Sequence, residues 1–175
     1  MKTIGFSAAL VLAAATAFAQ QPAPASPQLP LDVAEMIAHE AVAKCRADGL
    51  KVSVLVVDAA NVAKVELRDE GTSQTNLDFA QAKINSVLLT GFPSGLAPGG
   101  APVMIKGATP QKSAFGGMIG VLGGKLVAGI DAGGAVPIMV GGALAGVVSV
   151  SGAPSPAKDR ACAEAGIAKV ADRLK

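Results

Sequence analysis

Between Gly133 and Gly152 the chain reads GGAVPIMVGGALAGVVSVSG, with glycine pairs at Gly133-Gly134 and Gly141-Gly142 and no charged side chain. Such a stretch can cradle a phosphate, make tight turns, or let a ligand approach the backbone. A phosphate loop needs G-x-x-x-x-G-K-[ST]. Gly124-Lys125 comes closest, but Ile119 and Leu126 stand where the first glycine and the hydroxyl residue belong. The G-x-G-x-x-G spacing of a dinucleotide site does not occur. The remaining reading is hairpin turns and close strand packing. Apolar runs joined by two-residue glycine turns are antiparallel hairpins, and the signal recurs in GMIGVLGGKLVAGI around Gly123-Gly124.

The rest of the chain supplies helices and one more hairpin. LDVAEMIAHEAVAKCRADG, from Leu31, puts Ala34, Ile37, Ala38, Ala41 and Cys45 on one helical face, with Asp32, Glu35, His39 and Arg46 opposite. KVSVLVVDAA is apolar on both alternating sets, as a strand buried on two sides is. NVAKVELRD alternates Ala63, Val65 and Leu67 against Lys64, Glu66 and Arg68, and Asp58 to Asn61 is the turn between these strands. SQTNLDFAQAKINSVLLTG reads as a second helix, FPSGLAPGGAPVMIKGATPQ as loop, and SPAKDRACAEAGIAKVADRLK as a closing helix with Pro156 in its first turn. The order predicts an α+β fold, a mainly antiparallel sheet with helices on its faces.

Residues 1–19 read as a secretory signal peptide, with Lys2 ahead of an apolar core that ends in Ala17-Phe18-Ala19. The core is too short for a comfortable span, so no stable membrane anchor is expected. The protein is expected to be periplasmic or secreted. Residues 20–30 form a Pro-rich linker and residues 31–175 a single domain. Without the signal, fourteen basic residues face thirteen acidic ones. There is no basic run, and Trp and Tyr are absent. Nucleic acid is therefore not an expected partner. An even cysteine count in an oxidising compartment favours a disulfide. If the first and last helices pack antiparallel on one face, Cys45 and Cys162 become neighbours.

Candidate chemistry is sparse. His39 is the only histidine, and no serine pattern surrounds it, so a Ser-His-Asp triad is not expected; enzymatic activity of another kind stays open. Glu35 and His39, one helical turn apart, could share a metal ion. His39 could also be an axial ligand to a flat cofactor at the surface or between subunits, with Met36, Met104, Met118 or Met139 as a second ligand. Arg68 could hold a carboxylate in a two-pronged grip. Lys83 and Asn85 project from the second helix, toward solvent or toward the same region as Arg68.

The ordered set VLVVDAAN, RDEGT (Arg68 to Thr72), AQAKIN (Ala80 to Asn85), GGAVPI (Gly133 to Ile138) and AGVVSVSG (Ala145 to Gly152), followed by Asp159 in the last helix, resembles the GlcG/HbpS family. These are haem-binding and haem-degradation-associated proteins, related to the C-terminal domain of PduO-type proteins. The resemblance covers about residues 30 to 175. It implies a three-layer α/β/α fold with a five-stranded antiparallel sheet of profilin-like style, homo-oligomers, and haem or a small organic acid as ligand. The ligand-contacting set it suggests is His39, Arg68, Lys83, Gly133 and Gly134. The leading expectation is a haem protein for storage, sensing or transfer. The alternatives are an enzyme or accessory protein acting on a small organic acid, with Arg68 holding the carboxylate and Lys83 or Asp159 assisting, and a ligand-free structural oligomer.

Overall fold

The computed structural model describes residues 26–95, 111–112 and 117–175. The signal peptide read over residues 1–19 and most of the Pro-rich linker fall outside the described residues, as does Met104. The chain forms α1 (Leu31–Ala47), β1 (Ser53–Asp58), β2 (Ala63–Arg68), α2 (Gln74–Thr90), β3 (Gln111–Lys112), β4 (Gly117–Leu122), β5 (Lys125–Ile130), β6 (Ala135–Val140), β7 (Ala143–Ser151) and α3 (Pro156–Lys169). A short 3₁₀ turn, Ala171–Arg173, follows α3.

One four-stranded sheet has the order β2-β1-β7-β6, and a second has the order β3-β4-β5. All pairings are antiparallel. The glycine pairs at 123–124 and 141–142 make the β4–β5 and β6–β7 turns, all four with positive φ, where glycine pays no steric cost. The β1–β2 turn has no glycine. Asn61 takes the left-handed conformation there (φ 64°), a role asparagine fills better than most residues, and the Asp58 carboxylate accepts the Ala60 and Val62 amides.

The expected single five-stranded sheet is instead divided between two hydrogen-bonded sheets. Polar side chains of α2 meet the second sheet. Asn85 Nδ2 donates to the Ala128 carbonyl (2.8 Å) and Ser86 Oγ to the Ile130 carbonyl (2.7 Å), which ties β5 to the helix. Gly129 makes the approach possible, because a Cβ there would lie 2.5 Å from Ser86 Oγ.

Strand alternation decides which helix covers which face. Val54, Val56, Val148, Val150 and Ile138 pack with α1 and α3. Leu55, Val57, Val147 and Ala135 pack with Ala80, Ile84, Val87 and Leu88 of α2. The five α1 positions read as its inner face are all fully buried. The described core holds no aromatic side chain, and close packing rests on small residues: Gly166 of α3 sits where a Cβ would be 2.5 Å from the Ile37 carbonyl of α1. At this contact between α1 and α3, Cys45 and Cys162 form a disulfide across 117 residues of chain.

Candidate functional site

The residues singled out by the sequence fall into three places. The first is a surface groove on the outer side of α1. Turns of one helix bring residues i, i+3, i+4 and i+7 to one side, so Asp32, Glu35, Met36, His39, Glu40 and Ala43 line it, closed at one end by Lys169 from the last turn of α3. Its volume is about 480 Å³. His39 and Glu35 are exposed within it. Ion pairs engage its other acids: Arg173 holds Asp32 at 2.7 Å and Lys169 meets Glu40 at 3.6 Å. The Arg173 guanidinium holds the Asp32 carboxyl below the usual carboxylate range. Arg173 also reaches the Met36 sulfur at 3.6 Å. The groove therefore offers an imidazole, a thioether and a methyl on one surface, with two cations at its border. Among the described residues no cluster of three or more His, Cys, Asp or Glu side chains is placed to hold a metal ion, so Glu35 and His39 form at most a two-residue set.

The second place is interior. Lys83, on α2, is buried and donates to Asp159 of α3 (2.7 Å) and to the Val150 carbonyl of β7 (3.0 Å). Asp159 also accepts the Ala153 amide at 2.9 Å. Burial pushes the Asp159 carboxyl up, against the pull of the Lys83 ammonium. Gly134 lies against this pair: a Cβ there would meet the Val150 carbonyl oxygen at 2.5 Å and Lys83 Nζ at 2.8 Å, and its φ of +132° also excludes side chains. Gly133 is buried against Pro156 and Arg160. Lys83, Gly133 and Gly134 thus come together as a packed joint between α2, β7 and α3.

The third place is the edge strand. Arg68 ends β2, exposed, opposite Ser53, which in turn pairs with Ser151. It stands two strands away from the joint, and the structure does not bring it to His39, which projects from the far side of α1. The five suggested ligand contacts do not line one cavity, and Arg68 does not meet the Lys83–Asp159 pair. Of the methionines, Met139 pairs in register with Leu144 on the α2 side of the sheet and Met118 lies in β4. Only Met36 shares the groove with His39.

Sequence reading missed three things. It did not pair Lys83 with Asp159, although one buried lysine on an apolar helix face demands a nearby acid. It did not see Lys169 or Arg173 at the groove, because they enter from the other end of the chain. It also gave Asp69 no role. The Asp69 side chain is fully buried and receives Arg46 Nε (3.1 Å) and Nη2 (2.7 Å), tying the end of α1 to the end of β2. Those hydrogen bonds hold its carboxyl well below the usual range. The sign follows: a depressed folded-state pKa adds stability that is full above the unfolded value of about 3.9 and is lost as pH falls from there toward the lower folded value. Urea melts at pH 7, 5 and 3 are expected to show Asp69→Asn less stable than wild type at pH 7, with the gap closing toward pH 3.

A family model described as haem degrading protein HbpS-like matches residues 29–168. No curated protein matches the sequence significantly. Among solved structures, the crystal structure of HbpS is similar with a TM-score of 0.62 and 26% identity, covering 90% of this chain and 97% of that one. A double mutant of HbpS from Streptomyces reticuli gives 0.58 and 24%, over 93% and 97%. A PduOC:heme complex gives 0.61 and 20%, over 82% and 95%.

Proposed function

This chain belongs to the HbpS-like family, and from that premise we propose that it is an exported haem-binding protein that stores, senses or transfers haem, with the α1 groove as its site. The observation that carries the reading is the placement of the only histidine. His39 stands exposed at the middle of a groove whose volume falls in the range of ligand sites, with Met36 and Ala43 one turn to either side as apolar contact. An imidazole is the commonest protein ligand to haem iron. Lys169 and Arg173, at the border of the groove, would hold the propionates of a haem bound there in place of their present carboxylates. Glu35 lies one turn from His39 and can accept a hydrogen bond from the imidazole, fixing its orientation. Bound there, haem supplies a redox-active iron; the chain supplies a ligand, an apolar surface and charge.

The family description and a neighbour of the same fold that holds haem support this reading. Export is supported by the leader-like first nineteen residues. In a haem titration followed by absorbance, wild type is expected to show a saturable Soret shift. His39→Ala is expected to lose at least tenfold in affinity, equivalent to about 1.4 kcal/mol, while Arg68→Ala stays near wild type. A titration in which Arg68→Ala loses the shift and His39→Ala keeps it would move the site to the edge strand.

A further inference from the structure

Among the described residues β2 and β6 are the outer strands of the four-stranded sheet, and β2 is bonded to β1 alone. The two edges differ. β6 carries Pro137, which has no N–H to give to a further strand. β2 carries no proline. The Asp69 amide donates to the Val52 carbonyl at 3.1 Å, and hydrogen-bonded and non-bonded positions alternate along an antiparallel pair. Counting back from Asp69, Leu67 and Val65 turn their backbone groups to β1, while Arg68 and Glu66 turn theirs outward. The register shifts at Val56/Val57, where Lys64 has no partner on β1, so the regular edge runs from Val65 to Arg68.

Charged side chains on an edge strand ordinarily keep other strands away. Here their order does the opposite in one register. Glu66 and Arg68 are exposed, and among the described residues neither forms an ion pair within the chain. A two-fold pairing of β2 with the β2 of a second copy is antiparallel, and the residue at its centre sets every other partner. Centred on Glu66, it brings Glu66 against Glu66 and Lys64 against Arg68, like charges throughout. Centred on Val65, it needs the backbone of Lys64, which stands at the irregularity. Centred on Leu67, it brings Glu66 of each copy against Arg68 of the other, with the outward backbone groups of both strands in step. Leu67, partly buried against the core under α1, then meets Leu67 on that same face. Opposite charges directly across a strand pair are favourable and like charges are not.

We infer that two copies of this chain join edge to edge through β2 with Leu67 at the two-fold axis, so that their four-stranded sheets run on as one. The backbone groups of Glu66 and Arg68 bond across the junction, and their side chains form two cross-strand ion pairs. The exposed Arg68 thereby acts as a partner for a second copy. The junction lies apart from the α1 groove and does not depend on haem.

The test is sedimentation velocity of the mature chain, without haem, over a hundredfold range of chain concentration. Wild type is expected to pass from monomer to dimer. Glu66→Arg and Arg68→Glu each set like charges across the junction and are expected to weaken association at least tenfold. The double variant Glu66→Arg/Arg68→Glu restores opposite charges and is expected to associate again. So is an equimolar mixture of the two single variants, in which every facing pair is once more Arg with Glu. Glu66→Pro removes an outward N–H and leaves the β1 ladder whole. It is expected to stay monomeric while keeping the far-ultraviolet circular dichroism of wild type. A wild type that stays monomeric throughout overturns the inference. So does a dimer that the single reversals leave unchanged, or one that neither the double variant nor the mixture restores.

Discussion

Reduction of the Cys45–Cys162 disulfide is expected to cost the domain about 4 to 5 kcal/mol, the loop-closure value for a cross-link of roughly this span. The bond closes 117 residues of chain, so its loss frees the unfolded ensemble over most of the domain. It also sits at the contact between α1 and α3, where Gly166 brings the two backbones together. Both sulfurs are fully buried, so the bond is expected to resist dithiothreitol until the domain opens. The double variant Cys45→Ala/Cys162→Ala removes the cross-link without leaving thiols to re-pair. Urea melts of oxidised wild type and the double variant measure the difference. Because α1 carries the groove, the double variant is also expected to loosen whatever the groove binds.

Lys83→Met is expected to destabilise the protein by about 3 to 5 kcal/mol at pH 7, the cost of leaving a buried charge without its partner. Asp159 would keep only the backbone amides of Ala153 and Gly152. Burial already pushes its carboxyl up, so the isolated acid protonates more readily still. A folded-state pKa raised above the unfolded one lowers stability as pH rises through the window between them. The defect of Lys83→Met should therefore shrink as pH falls toward the ordinary carboxylate range. Lys83→Met/Asp159→Leu replaces both partners by apolar groups and is expected to recover most of the loss. Chemical melts of the three proteins at pH 7 and pH 5 check both the magnitude and its sign with pH. A double variant as unstable as the single one would show that the two side chains do not act as a pair.

Much of the fold was legible because its signals are local. The inner face of α1 follows from helical spacing, and β1 from its unbroken apolar run. The Gly123-Gly124 and Gly141-Gly142 turns follow from the one residue type that takes positive φ freely. The disulfide was legible at one remove, since two helices packed on one face bring their cysteines together. The division into two sheets was not legible, nor was the capture of β5 carbonyls by Asn85 and Ser86, a contact between residues more than forty positions apart. The Lys83–Asp159 pair spans 76 positions and left only an indirect trace, a charge on an apolar helix face.

The site divided along the same line. Glu35, Met36 and His39 share one face of one helix, so their association follows from spacing. Lys169 and Arg173 complete the groove from the end of the chain, which spacing cannot supply. Gly133 and Gly134 suggested a ligand cleft because glycine permits close approach. What approaches Gly134 is the Lys83–Asp159 pair itself.

The most direct test uses the fact that the chain has a single histidine. Carbethoxylation by diethylpyrocarbonate, followed through the histidine absorbance band, reports on His39 alone. In the free protein the reaction is expected to proceed at the rate of an exposed imidazole. With saturating haem it is expected to slow at least tenfold, and protein carbethoxylated beforehand is expected not to take up haem. An unchanged rate in the presence of saturably bound haem would contradict the account, because the haem would then lie elsewhere on the molecule.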